Sequence, residues 1–274
     1  MNPKTLAGET GEHPFVLPPR AKVKTYWWKG KDRPPNWGDY LTPLLLARFA
    51  HLDAEWVERG SAEVVVVGSI LGNIMGPWFD GTILGSGKLF ENGIVPPHAT
   101  IRALRGPLSA KNVPGNCVLG DPGLLADELV RIDTKRFDLC IVPHWSESLP
   151  DFKGRRLATD DRFTRYPNVV VDSTADPLDI IATIAQSAKV VTSSLHGLIL
   201  ADALNIPRRF ENTADWKNEG ADFKVRDHNA AVGVPHAIGK LQEADSNRVI
   251  DLKTDLKDVF RSYGKEVRAR SNDD

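Results

Sequence analysis

Residues 189–203 read KVVTSSLHGLILADA, and this stretch decides the fold. Lys189–Thr192 is a β-branched apolar run that reads as a strand. Ser193-Ser194 is a polar turn. Leu195, Leu198, Ile199 and Ala203 then recur at helical spacing, with Ser194 placed to cap them. A strand feeding directly into an apolar helix is the building unit of a parallel sheet covered by helices.

The same unit recurs in both directions. Upstream strands are expected at Val23–Trp28, Val64–Val67, Thr82–Leu84, Thr100–Leu104 and Cys117–Leu119. A second set is expected at Phe137–Val142, Val169–Val171, Lys189–Thr192 and Arg208–Phe210. The unbroken Val64-Val65-Val66-Val67 run suits a strand buried on both faces. Leu41, Leu45, Phe49 and Leu52 follow Asp39 at helical spacing. Asp176-Pro177 reads as an N-cap followed by proline at the first helical position, with Ile180, Ile181 and Ile184 inward. A last helix is expected over Asp255–Tyr263.

The polar stretch Val130–Arg136 separates the two strand sets. The expected organisation is a disordered arm over 1–22, a Rossmann-like domain over 23–132, a second over 133–264 and a disordered tail over 265–274. The fold class is therefore α/β, with two Rossmann-like domains facing a central cleft. Ligands of open α/β sheets sit beyond the carboxyl ends of the strands, so such a cleft would gather the loops of both halves.

Bulk properties exclude several classes. The 35 Lys and Arg balance 36 Asp and Glu, leaving no cationic excess for a nucleic-acid backbone. Cys117 and Cys140 form no CxxC pair and read as buried small residues. The first 22 residues lack the apolar core of a signal peptide. Val64–Phe79 is broken by Gly68, Gly72, Asn73, Gly76 and Pro77 and is too short to span a bilayer. A cytoplasmic chain without transmembrane segment is expected, with peripheral membrane contact left open.

Polar or glycine-rich motifs follow the strands. Ser193–Gly197 is the sharpest, because it puts His196 in the first turn of a helix, where backbone N–H groups and the dipole favour an anion. A histidine there can donate to phosphate or carboxylate, or serve as acid or base. A capping turn with a histidine bonded to a neighbour is the plainer alternative. Arg105 ends a strand before Gly106-Pro107, and its fork of donors suits an anion; pairing with an acid such as Asp121 is the alternative. His144 and Trp145 follow the first strand of the second half, where imidazole and indole suit a sugar, or simple interface packing. Asn36 and Asp39 suit sugar hydroxyls, or a turn that caps the next helix. His13, His51, His98, His228 and His236 have no comparable setting.

Gly85-Ser86-Gly87-Lys88 lacks the spacing and the Ser or Thr of a phosphate loop, and Phe90 stands where a dinucleotide fingerprint needs its third glycine. No HExxH, GxSxG or Asp-x-Asp occurs. No metal and no nicotinamide cofactor is expected.

Taken in order, the motifs resemble the polysaccharide pyruvyl transferase family, in particular its short bacterial exopolysaccharide branch. The pieces are Asn36-Trp37-Gly38-Asp39, Gly85-Ser86-Gly87, Arg105-Gly106-Pro107-Leu108-Ser109, Leu119-Gly120-Asp121-Pro122-Gly123, Ile141-Val142-Pro143-His144, Ser193-Ser194-Leu195-His196-Gly197 and Phe223-Lys224-Val225-Arg226-Asp227. The resemblance implies a fold similar to GT-B glycosyltransferases. It also implies transfer of the enolpyruvyl skeleton of phosphoenolpyruvate to a sugar as a cyclic ketal, with phosphoenolpyruvate as substrate and no cofactor. The family's Arg and Leu-His pair fall on Arg105, Leu195 and His196. On this reading His196, Arg105 and His144 are catalytic. Ser193, Ser194, Leu195, Gly197, Ser86, Gly87 and Asp121 line the donor, and Asn36, Trp37, Asp39 and Trp145 meet a saccharide acceptor, free or lipid-linked. Two other readings stand beside it: a GT-B glycosyltransferase using a nucleotide sugar, and a non-catalytic saccharide-binding protein.

Overall fold

The computed structural model describes residues 20–29, 36–145, 167–211 and 219–271. The arm expected over 1–22 falls outside them except for residues 20–22, as do residues 272–274.

Two sheets carry the fold. The first has six parallel strands: β1 (Ala21–Thr25), β2 (Leu52–Trp56), β3 (Val64–Val65), β4 (Thr82–Leu84), β5 (Thr100–Leu104) and β6 (Val118–Leu119), in spatial order β2-β1-β3-β4-β5-β6. The second has the order β11-β10-β9-β7-β8, from β7 (Leu139–Val142), β8 (Asn168–Val170), β9 (Val190–Thr192), β10 (Arg208–Phe210) and β11 (Leu241–Gln242). Only β11, on its edge, is antiparallel.

Period-two burial explains why the strand runs are apolar throughout. Val64 and Val66 enter a main core, while Val65 faces a second one with Ile83 and Leu104. In the other sheet Cys140 and Val142 point into the main core, and Leu139 and Ile141 pack with Val191 on the opposite face. Both faces are covered, so neither can alternate with polar residues. The main core runs through both halves, because α3 (Leu195–Ala203) and a 3₁₀ segment, Pro122–Leu129, pack on each other between the sheets. Cys140 is buried, Cys117 half-buried, and both are free thiols.

Two sequence expectations change. Leu52 does not close a helix. α1 (Leu41–Leu45) continues as a π-helical turn, Leu46–Ala50, and His51 then adopts a left-handed conformation at φ 56. That reversal makes Leu52 the first residue of β2, where Leu52 and Ala54 face inward and Asp53 and Glu55 face water.

The last helix is also far longer than expected. α5 runs from Ser246 to Arg270, so the chain is ordered well past residue 264. Its buried stripe, Val249, Leu256, Phe260 and Tyr263, has helical periodicity, and its charged residues face water. Although it follows the second half in sequence, α5 packs against β1, β5, β6 and the π-helical turn of the first. Gly264 leaves no room for a Cβ against the Ala50 backbone, and Arg102 donates to Glu266 at 2.6 Å. The helix begins at Asp245, whose carboxylate accepts from the N–H groups of Asn247 and Arg248. Asp245→Ala is expected to cost about 1 kcal/mol, read as a lower urea midpoint with unchanged slope. An unchanged midpoint would mean that packing alone sets where the helix starts.

Candidate active site

Each sheet reverses its strand order once: between β1 and β3 in the first, and between β7 and β9 in the second. Such switch points open a crevice at the carboxyl ends of the strands. The loops leaving β1, β7 and β9 carry Asn36–Asp39, His144 and Ser193–His196 respectively.

The β9–α3 turn is held by Thr192. Its hydroxyl donates to Val142 O at 2.7 Å and accepts the Ser194 N–H at 2.9 Å. Ser194 occupies the N-cap position without a side-chain cap, and its backbone N–H donates to the Thr192 hydroxyl. The Ser193 hydroxyl accepts the His144 N–H at 2.8 Å, tying the two loops together. Gly197 lies directly on Thr192 with no space for a side chain, and Leu195 is buried.

His196 is only 6% exposed, and its Nε2 has no hydrogen-bond partner among the described residues. Trp37 meets the ring edge-on at 5.9 Å between centroids. Gly38 lies flat on the imidazole, and any Cβ there would fall inside the ring. Burial, then the charges of Lys224 and Arg105, lower the His196 pKa to about 3. His144 is lowered to about 3 by burial and Lys224. Both imidazoles are therefore neutral at physiological pH. His144 stacks near Trp145 (5.4 Å), and Trp145 near Trp28 (5.0 Å), which joins aromatic rings of the two halves.

Arg105 is fully buried, and three of its nitrogens are occupied. Nε donates to Asp227 Oδ2 at 3.0 Å, one terminal nitrogen to Ser69 Oγ at 2.6 Å, and the other to Lys88 O at 2.6 Å. Gly87 makes room for the guanidinium, since a Cβ there would overlap it. The partner is Asp227 rather than Asp121. Asp227 lies on α4 (Glu219–Ala231) of the second half. It also accepts from the N–H groups of Leu108 and Ser109 and from Ser109 Oγ. Asp121 instead caps the 3₁₀ segment by accepting the Gly123 N–H at 2.9 Å. Burial pushes its pKa up, and its Oδ2 has no partner. Ser86 is turned away, its hydroxyl donating to Val66 O at 3.1 Å.

Asn36 Nδ2 donates to Asp39 Oδ2 at 2.6 Å. Burial raises Asp39 to about 7, against the lowering effect of that bond and of Lys224.

Lys224, quoted above only as part of a motif, stands at the electrical centre. It is half-buried, and its ammonium makes no hydrogen bond or salt bridge among the described residues. Burial and Arg105 lower it to about 8, with Asp39 acting the other way. Its charge is felt by His196, His144 and Asp39. α4 is fixed on both sides. Asp227 grips the first half, while His228 Nε2 meets Asp202 Oδ2 at 2.8 Å and Asn229 Oδ1 accepts from Arg208 at 2.7 Å. Asp202 lies on α3, and Arg208 donates to it as well. His228, read from sequence as unremarkable, is thus a buried packing residue that orients α4.

Among the described residues, no group of three or more His, Cys, Asp or Glu is arranged to hold a metal ion, and no helix is long and apolar enough to cross a membrane.

The family model described as polysaccharide pyruvyl transferase matches residues 94–210. That span includes Arg105, His144 and His196 but neither Asp39 nor Lys224. The succinoglycan biosynthesis protein ExoV of Rhizobium meliloti (strain 1021) is 29% identical over 229 residues, covering 78% of this chain and 66% of that protein. The uncharacterized protein L143 of Acanthamoeba polyphaga mimivirus is 25% identical over 162 residues, covering 56% of this chain and 55% of its own. The chain thus spans less than two thirds of the length of these curated relatives. No solved structure matches it.

Proposed function

We propose, from the premise that this chain is a relative of the polysaccharide pyruvyl transferases, that it transfers pyruvate from phosphoenolpyruvate to a saccharide. The acceptor is an exopolysaccharide or its lipid-linked precursor on the cytoplasmic side, and the product is a ketal across two hydroxyls. The two halves act as the facing domains of a GT-B-like enzyme.

One observation carries the reading: the Lys224 ammonium, unpaired among the described residues, acts on His196 at the start of α3, whose Nε2 is likewise unpartnered among them. Phosphoenolpyruvate brings a phosphate and a carboxylate, and this arrangement offers a cation, a ring nitrogen and a helix N-terminus to receive them. Asp227 neutralises Arg105, so Lys224 supplies the free charge. Arg105 acts through its field and by ordering residues 105–109. His196 enters the reaction neutral, able to donate a hydrogen bond to the phosphate or accept a proton. A phosphate drawn against it stabilises its protonated form, preparing it to protonate the leaving group.

The test is transfer itself. Purified protein, phosphoenolpyruvate and exopolysaccharide repeat-unit acceptors should yield ketal pyruvate and inorganic phosphate in equal amounts. Thermal stabilisation by phosphoenolpyruvate but not by UDP-sugars should accompany it; the reverse pattern would move the reading to a glycosyltransferase. Lys224→Met is expected to raise the KM for phosphoenolpyruvate roughly tenfold or more, since a hydrogen bond to a charged group contributes about 1.5–3 kcal/mol. An unchanged KM would remove Lys224 from the donor site.

A further inference from the structure

We propose that Asp39 is the base that takes the proton from the acceptor hydroxyl, a role that rests on the pyruvyl-transfer reading and extends it to the acceptor side. The carboxylate is 5% exposed and oriented from two directions. Asn36 holds Oδ2 at 2.6 Å. Oδ1 occupies the space that a side chain at position 68 would need, 2.7 Å from a Cβ there, and Gly68 permits this with a left-handed φ of 106°. Asp39 forms no ion pair among the described residues, although it faces Lys224 across the two halves. Its neighbour Gly38 rests on His196. A fixed carboxylate from one half therefore stands one residue from the imidazole of the other, and the charge of Lys224 acts on both.

The chemistry needs such a group. Each acceptor O–H bond breaks as its oxygen pair forms a C–O bond to the central carbon of the enolpyruvyl unit. The C–O bond to phosphate breaks and its pair leaves with phosphate. Of the two hydroxyl protons, one ends on the former methylene carbon and the other on phosphate. Asp39 receives a hydroxyl proton in this sequence, while His196, whose protonated form the bound phosphate favours, serves the leaving group instead. Bringing the donor's negative charge to Lys224 offsets the cation that keeps Asp39 ionised, so the carboxylate becomes the stronger base once the donor is bound.

The charged and titratable groups facing Asp39 are Lys224, Asp121, Tyr26 and Tyr40; burial and the Asp39 charge raise both phenols. Asp39 works ionised, so kcat/KM should rise with pH through about 7, the value in the ligand-free protein, and the corresponding limb of kcat should lie higher because the bound donor offsets Lys224. Lys224 works protonated, so kcat/KM should fall above about 8.

The experiment is the pH dependence of kcat/KM and of kcat for wild type, Asp39→Asn and Lys224→Met, with phosphoenolpyruvate and the saccharide acceptor. Asp39→Asn is expected to lower kcat at least a hundredfold, leave the KM for phosphoenolpyruvate within about threefold, and abolish the acidic limb. Lys224→Met removes a charge that favours ionised Asp39, so the limb should move to higher pH. Asp39→Asn turnover within fivefold of wild type, with the limb intact, overturns the assignment. Should that variant fail to fold, an unmoved limb in Lys224→Met overturns it as well. Wild type that releases no phosphate defeats the pyruvyl-transfer reading and this inference with it; an active wild type with an indifferent Asp39→Asn defeats only the inference.

Discussion

Asp227→Ala is expected to destabilise the protein by about 3–5 kcal/mol, the usual effect of removing one partner of a buried ion pair. The reason lies in what remains. Arg105 is fully buried, and its charge would be left without a carboxylate. The N–H groups of Leu108 and Ser109 and the Ser109 hydroxyl would lose their acceptor too. For a chain of this length the loss should lower the melting temperature by roughly 10 °C. A double variant, Arg105→Met with Asp227→Leu, should recover only part of the stability, because it removes both charges together but leaves the Leu108 and Ser109 donors without their acceptor. A melting temperature for Asp227→Ala within about 2 °C of wild type would mean the pair is hydrated in solution.

His196→Ala should behave in the opposite way. On the proposed pyruvyl-transfer reading, loss of a group that moves a proton or receives the phosphate lowers kcat/KM by about 10²–10⁴. Its melting temperature should nevertheless stay within a few degrees of wild type, since Nε2 is unpartnered and an unsatisfied buried polar atom costs about 1–3 kcal/mol in the native state. Removing it relieves that cost and offsets part of the lost packing. Activity lost with stability kept is the signature of a residue placed for function. A folded His196→Ala with near-wild-type kcat/KM would take the imidazole out of the mechanism.

The two variants also mark what the sequence could convey. Local patterns were readable: β4, β5 and β10 begin and end where the strands were expected, and Asp176 caps α2 (Pro177–Ala185) as its Asp-Pro start implied. β2 was not readable because Leu52 also fits the helical spacing before it, and β11 is only two residues long. In the site, the strand-end motifs identified the loops but not their partners. Arg105 finds Asp227 at a separation of 122 residues, and no local pattern encodes that distance. Nor does FKVRD reveal that Lys224 turns inward while Arg226 pairs with Asp222 at the surface. That difference arises only when α4 is fixed between Asp202 and Arg105.

The return of α5 to the first sheet bears on how the chain is made. The ribosome delivers β1 to β6 early, yet the helix that covers part of that sheet emerges only after the whole second half has been synthesised. Until then the surface facing Phe260 and Tyr263 is open to water. The nascent first half is therefore an incomplete body awaiting its closing piece, and a message truncated ahead of Ser246 would yield a product whose fault lies in the part translated first.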